Sequence, residues 1–197
     1  MSAAEQAGHE LLVALAGRLP GEVLWRLRDW LAAGSLEVTG TVLARELLRQ
    51  RVALTDDEHG LLVASAGEWG APRRLLQAVL PLDRPATSDA AFRRPAGVPD
   101  AAALSVLAVV RDHPGCVELR LAVRLGPGAE QRVVLVLGGE RPWALTGTLQ
   151  RVLRAHGDRT PCVEVLPAHG EPPAHHRAAI IGSTTLWRTA PAEAVPA

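Results

Sequence analysis

The sequence predicts an α+β protein in which an N-terminal all-α helical bundle, residues 1–80, precedes a small α/β domain with a mixed sheet, residues 101–190. Leucines recur at helical spacing through the first 80 residues. Residues 116–125 alternate apolar and polar side chains, as a strand with one buried face does. The apolar run 133–137 leads through two glycines into a helix-like stretch, which is typical of a buried strand and its covering helix. The expected element order in the second domain is α-β-β-α-β-β.

Five short helices joined by tight loops are expected in the first half. Pro20 and Pro72 suit the first turn of a helix, where a missing N–H loses no partner. Gly34 fits a left-handed helix stop. Thr55 and Glu58 have the spacing of a capping box. The predicted helices cover residues 4–18, 21–33, 35–50, 55–67 and 72–79.

A proline-rich segment separates the two predicted domains. Residues 81–100 carry four prolines and are expected to be a partly extended linker, with Phe92 available to dock it on either domain. Asp100 is placed to cap a helix over residues 101–111. The apolar run 104–110 would also fit a strand, and the helix is preferred.

The remaining elements build the predicted sheet. A turn at residues 126–128 joins the first two strands, and the helix between the next two implies a right-handed parallel crossover. Residues 167–176 are expected to be a loop and residues 191–197 a disordered tail. The predicted strands cover residues 116–125, 132–137, 162–166 and, at an edge of the sheet, 177–182, with a helix over 143–155.

Composition limits the partners and the compartment. The formal net charge is +0, which offers no bulk attraction to nucleic acid or to an anionic membrane. All basic residues are Arg, and Lys, Asn and Tyr are absent, which indicates a GC-rich bacterial genome. The N-terminus lacks the basic segment of a signal peptide, and no apolar run reaches the length of a membrane span. We therefore expect a cytoplasmic protein with two free thiols, Cys116 and Cys162.

One family resemblance follows from the second half. A helix is followed by a P-G-C-V strand, a V-L-V-L-G-G strand, a second helix, a P-C-V-E-V-L strand and a terminal T-T-L-W-R. This order resembles the C-terminal domain of SseB-type bacterial proteins over about 90 residues. The resemblance implies a regulatory or interaction role and transfers no catalytic residue. The first half shows no such resemblance.

The junction between a strand and a helix at Gly138, Gly139 and Arg141 is a candidate ligand or anion site. Backbone N–H groups at a helix N-terminus attract anions, and an Arg side chain adds positive charge. The segment has neither phosphate-binding glycine motif, and a chain without Lys cannot supply a phosphate-loop lysine. A tight structural turn is the preferred interpretation.

Clustered histidines are the candidate metal ligands. His169, His175 and His176 lie close in sequence, and Glu164 or Glu171 could complete a zinc site. Their spacing matches no metal-binding motif. The preferred interpretation is therefore that these histidines lie in a loop exposed to solvent. Cys162 beside a histidine would suit a nucleophile and base, but a thiol that opens a buried strand is expected to be inert.

Tryptophans carry the preferred functional hypothesis. Trp25, Trp30 and Trp69 are candidate interaction residues, because the first two cannot share one narrow helical stripe and Trp is enriched at interface hot spots. The sequence therefore favours a non-catalytic interaction, adaptor or regulatory protein without a cofactor, whose partner is another protein. The alternative is a ligand- or metal-binding enzyme or regulator that uses loops 138–143 and 168–176.

Overall fold

The structure is a computed structural model that describes residues 3–84, 87–126 and 130–190. Helices fill the first half, where leucines at helical spacing form a shared core. A π-helical turn, Val63–Gly67, continues the fourth helix. The first five helices are α1 (Ala3–Ala14), α2 (Gly21–Ala32), α3 (Leu36–Arg49), α4 (Asp56–Leu62) and α5 (Arg73–Gln77).

Local signals account for the helix boundaries. The Thr55 side chain accepts from the Glu58 amide at 3.3 Å, and the Glu58 side chain accepts from the Thr55 amide at 3.0 Å, so the predicted capping box is present. Gly34 has φ 74°, the left-handed conformation predicted for the stop after α2.

The part of the second half that the structure describes contains the sheet and three further helices. The interpretation of residues 104–110 as helix is confirmed, and Asp100 caps that helix by accepting from the Ala103 amide at 2.9 Å. The elements are β1 (Ala91–Arg93), α6 (Ala101–Asp112), β2 (Cys116–Leu125), β3 (Gln131–Gly138), α7 (Pro142–Ala155), β4 (Cys162–Leu166), α8 (Ala174–Ile181) and β5 (Thr184–Arg188).

Five strands of the described residues form one mixed sheet. β2 and β3 pair antiparallel, whereas β3 and β4 are parallel neighbours joined through α7. Two strands share the outer edge of β2: β5 pairs with residues 118–121 and β1 with residues 123–125. Helices with a mixed sheet confirm the α+β class, while the division into a bundle and a separate domain stays a prediction.

One sequence prediction needs correction. Residues 177–182, predicted as an edge strand, lie mostly in α8, and the edge strand follows as β5. A short apolar run fits a helix as well as a strand, and Pro173 precedes the first turn of this helix. The predicted linker contains β1, whose Phe92 packs on the sheet core. The predicted tail, 191–197, falls outside the described residues.

Helices cover both faces of the sheet. α6 and α7 pack against one face, where Val134, Val136 and Val163 point inward. The opposite face of β3 packs against Val13 of α1 and Ala179 of α8. The first half therefore lies directly on the sheet.

Close helix packing at Gly147 predicts a measurable effect on stability. A Cβ on Gly147 of α7 would lie 2.2 Å from the Cβ of Ala32, where α2 ends. We expect Gly147→Ala to lower the free energy of unfolding by about 1–3 kcal/mol, because the two helices must separate. Gly60→Ala is the control: that helical position meets no neighbour within 4 Å, so the change should stabilise by up to about 1 kcal/mol. Urea unfolding measures the free energy of unfolding of both variants. Equal changes in the two variants would contradict the prediction.

Candidate functional site

The parallel pairing of β3 and β4 places the loops that follow them side by side. β3 ends at Gly138 and β4 at Leu166, and carboxyl ends of neighbouring parallel strands meet at one edge of a sheet. Residues 138–142 and 167–173, together with α1, line a half-open cavity of about 700 Å³. This volume lies within the range of small-molecule sites.

Left-handed backbone conformations shape the first loop. Gly138 and Gly139 have φ of 79° and 117°, and a Cβ on Gly138 would lie 2.3 Å from the Gly115 carbonyl oxygen. The Gly139 amide donates to that carbonyl at 2.9 Å, and the Glu140 amide donates to Pro114 at the same distance. Because these amides are already used, they cannot cradle a phosphate. Gly138, Gly139 and Arg141 nevertheless line the cavity, and the Arg141 side chain is exposed.

The three histidines predicted as metal ligands do not converge. His169 lines the cavity from the second loop, whereas His175 and His176 are buried on α8. His176 Nε2 lies 2.9 Å from Glu164 Oε2, beneath the sheet, and His175 packs edge-on against Phe92. Within residues 3–84, 87–126 and 130–190, no group of three or more His, Cys, Asp or Glu side chains is arranged to hold a metal ion.

His9 of α1 is a cavity residue that sequence reasoning missed. Its side chain is 4% exposed, and Nε2 lies 2.9 Å from the Val165 carbonyl oxygen. Burial lowers the pKa of His9 to about 4, with the nearby Arg28 charge acting in the same direction. His9 and Val13 lie one helical turn apart on the face of α1 that meets the sheet. This helical spacing is the sequence signal from which His9 could have been identified as a residue that faces the sheet.

A buried ion pair fastens α2 to β4 beside the cavity. Arg28 Nη1 and Nη2 donate to Glu164 Oε1 and Oε2 at 2.7 and 2.6 Å, and both side chains are buried. Arg28 also donates to the carbonyls of Val163 and Leu12. Burial alone would raise the pKa of Glu164, but the charges and hydrogen bonds of Arg28 and His176 outweigh it and hold the pKa well below its usual range.

Cys162 lies beside this ion pair, but its surroundings do not activate the thiol as a nucleophile. Its sulfur lies 3.7 Å from Glu164 Oε1. Burial, followed by the negative charge of Glu164, raises the pKa of the thiol to about 12. The side chain is therefore a neutral thiol at physiological pH, as the interpretation of a structural cysteine requires.

The tryptophans largely serve internal packing. Trp69 is 8% exposed and packs on Gly8, where a Cβ would lie 2.3 Å from the ring, so its side chain contributes to the helical core. Trp25 is half-buried, and its ring lies 5.4 Å from the Arg154 guanidinium of α7, which makes it a contact between the two halves. Trp30 is also half-buried, at the margin of the helical core.

Charged groups surround the largely apolar cavity. Val13, Leu137 and Leu166 supply apolar wall. The further charged or titratable lining residues are Glu10, Glu140, Arg141, His169 and Glu171. All five are exposed, and Glu171 forms an ion pair with Arg177.

Among the described helices, none combines the length and apolar character needed to span a membrane.

Comparison of the chain with protein-family models, with curated proteins and with solved structures finds no match. The resemblance to SseB-type proteins therefore stays a prediction.

Proposed function

We propose that this protein binds a small, largely apolar molecule in the cavity at the carboxyl ends of β3 and β4, and that it acts as a regulator. The observation that carries the proposal is the half-open cavity itself, about 700 Å³ in volume and lined by two loops and α1. Sites of this kind have apolar walls and a few convergent polar groups. Here those groups are His9, Arg141 and His169 with nearby carboxylates.

The location of the cavity agrees with the alternative hypothesis drawn from the sequence. That hypothesis placed a ligand or metal site in loops 138–143 and 168–176. Both loops line the same cavity, with Arg141, His169 and Glu140 among its residues. Binding is what this arrangement supports, and no catalytic step belongs to the proposal.

A fluorescent probe tests the proposal directly. N-phenyl-1-naphthylamine is uncharged and apolar, and its emission rises when it leaves water. We expect binding with a dissociation constant on the order of 100 µM or tighter, as its size and apolar surface allow. Ala168, half-buried in the cavity wall, is the position for a blocking variant. Ala168→Trp should weaken binding at least about ten-fold because the indole occupies ligand space.

The matched control places the same indole elsewhere. Ala108 is exposed on α6 and does not line the cavity. Ala108→Trp should leave binding unchanged. If wild-type protein fails to bind the probe, or if both variants bind it equally, the cavity is not the binding site and the proposal is wrong.

A protein-interaction role is the second candidate, and we propose it only for the surface around Trp30. This side chain keeps part of its ring accessible at the margin of the helical core. An adaptor would retain a specific partner in affinity purification and lose that partner on Trp30→Ala. If the Trp30→Ala variant retains the same partner as the wild-type protein, the surface around Trp30 is not the interaction site.

We also propose that the protein is located in the cytoplasm. The cysteines Cys116 and Cys162 support this location, because neither forms a disulfide bond.

A further inference from the structure

The apolar wall of the cavity is continuous with the core on the α1 and α8 side of the sheet. Val13 of α1, Leu137 of β3 and Ile180 of α8 all line the cavity. The same three residues belong to, or pack against, one hydrophobic cluster that also contains Leu166 of β4. Val13 is 7% exposed, and Leu137 and Ile180 are half-buried, so each keeps some accessible apolar surface.

The charged lining is exposed and forms the mouth of the cavity. Both signs of charge are present there, and Glu171 is already paired with Arg177. Exposed charges of mixed sign discriminate little between an anion and a cation, because water screens each of them. The mouth therefore accommodates a polar group that stays in contact with water. Its residues are Glu10, Glu140, Arg141, His169 and Glu171.

The apolar wall is aliphatic. Among the described residues that line the cavity, none is Phe or Trp, and the apolar ones are Val, Leu, Ile, Pro and Ala. Aromatic ligands gain from stacking on aromatic side chains, which this wall does not offer. An alkyl chain gains from the apolar area that it removes from water, and an aliphatic wall supplies that area.

We propose that the ligand is a single-chain aliphatic amphiphile, with its chain against Val13, Leu137 and Ile180 and its polar head group at the mouth. The inference rests on the proposed function and adds the class of the ligand and its orientation. The orientation follows from desolvation. A head group placed against aliphatic side chains would lose water without gaining a hydrogen bond from them.

Two isomers of one alcohol test the orientation. 1-Octanol and 4-octanol have the same formula, but the hydroxyl is at the end of the chain in the first and near its middle in the second. A surface that only favours apolar molecules binds both equally. The oriented cavity should bind 1-octanol at least about five-fold more tightly, since 4-octanol must bury its hydroxyl or leave part of its chain in water. Chemical-shift titration of nitrogen-15-labelled protein measures both dissociation constants.

Two neighbouring isoleucines supply a matched pair of variants. Ile180 lines the cavity, whereas Ile181 is 79% exposed and does not line it. Ile180→Thr should weaken the binding of 1-octanol about 3- to 10-fold, because it removes apolar contact and places a hydroxyl in the wall. Ile181→Thr should leave the binding unchanged.

A third measurement uses only the wild-type protein and so does not depend on the folding of a variant. In isotope-filtered nuclear Overhauser spectra, the terminal methyl group of 1-octanol should contact the methyl groups of Val13, Leu137 and Ile180, and its CH2–OH group should not. Equal affinity for the two isomers, equal effects of the two variants, or reversed contacts would each overturn the inference.

The naphthylamine probe separates this inference from the proposed function. If N-phenyl-1-naphthylamine binds and neither alcohol does, the amphiphile is the wrong class of ligand and the cavity is still a binding site. If neither the naphthylamine nor the alcohols bind, the proposed function is wrong as well.

Discussion

Glu164→Gln is expected to lower the free energy of unfolding by about 3–5 kcal/mol, the usual result of removing one partner from a buried ion pair. The substitution keeps the volume of the side chain and removes its charge. Arg28, only 3% exposed, then has no counter-charge, and His176 loses the carboxylate beside its Nε2. Urea unfolding at neutral pH measures the difference.

An exposed ion pair of the same residue types provides the control. Arg49 is 61% exposed where it meets Glu46 on α3. Glu46→Gln should therefore change stability by less than about 1 kcal/mol. The double replacement Arg28→Met with Glu164→Leu should recover most of the loss, since it removes both buried charges together. A Glu164→Gln variant as stable as the Glu46→Gln variant would contradict this account.

Acidification between about pH 6.5 and pH 4 is expected to destabilise the protein strongly, because two buried histidines stay neutral in the folded state. Burial lowers the pKa values of His9 and His175 to about 4, from an ordinary value of 6.5. In this window the unfolded chain binds protons that the folded chain does not, so stability falls as pH falls. The interval of about 2.5 pH units corresponds to about 3 kcal/mol for His9 alone.

Glu164 extends the decline to lower pH. Its pKa is held below the ordinary 4.5, so the stability it contributes is complete above that value and is lost as pH falls towards the folded-state pKa. Free energies of unfolding from urea titrations between about pH 3 and pH 7.5 test the profile. His9→Gln, which removes one titrating group, should give a shallower slope. A flat profile in wild type, or the same slope in the variant, would contradict the assignment.

Periodicity in the sequence accounts for much of the fold. Leucine spacing located α1 to α4, and strict alternation located β2. The capping box at Thr55 was predicted together with the residue that completes it. The prediction was wrong between residues 177 and 182, where a short apolar run has no periodicity long enough to separate strand from helix.

Periodicity in the sequence could not predict which polar side chains meet at the site. His9 meets Val165 and Arg28 meets Glu164 across more than 130 sequence positions. A residue's partner at that separation depends on how the helices cross the sheet, which no local pattern encodes. The sequence could indicate which loops follow β3 and β4, because the order strand, helix, strand predicts a parallel crossover, but it could not indicate that α1 lines the cavity beside them.

The shared outer edge of β2 has a consequence for self-association. Unpaired strand edges are templates for pairing with other molecules, and this edge is occupied by two short strands from distant parts of the chain. β5 pairs with Leu119 and Leu121, so those backbone positions stay uncovered on a nascent chain until residues 184–188 have been synthesised. We therefore expect the tendency to aggregate during synthesis to fall once β5 is available, and a peptide matching β5 should suppress that aggregation by covering the same edge.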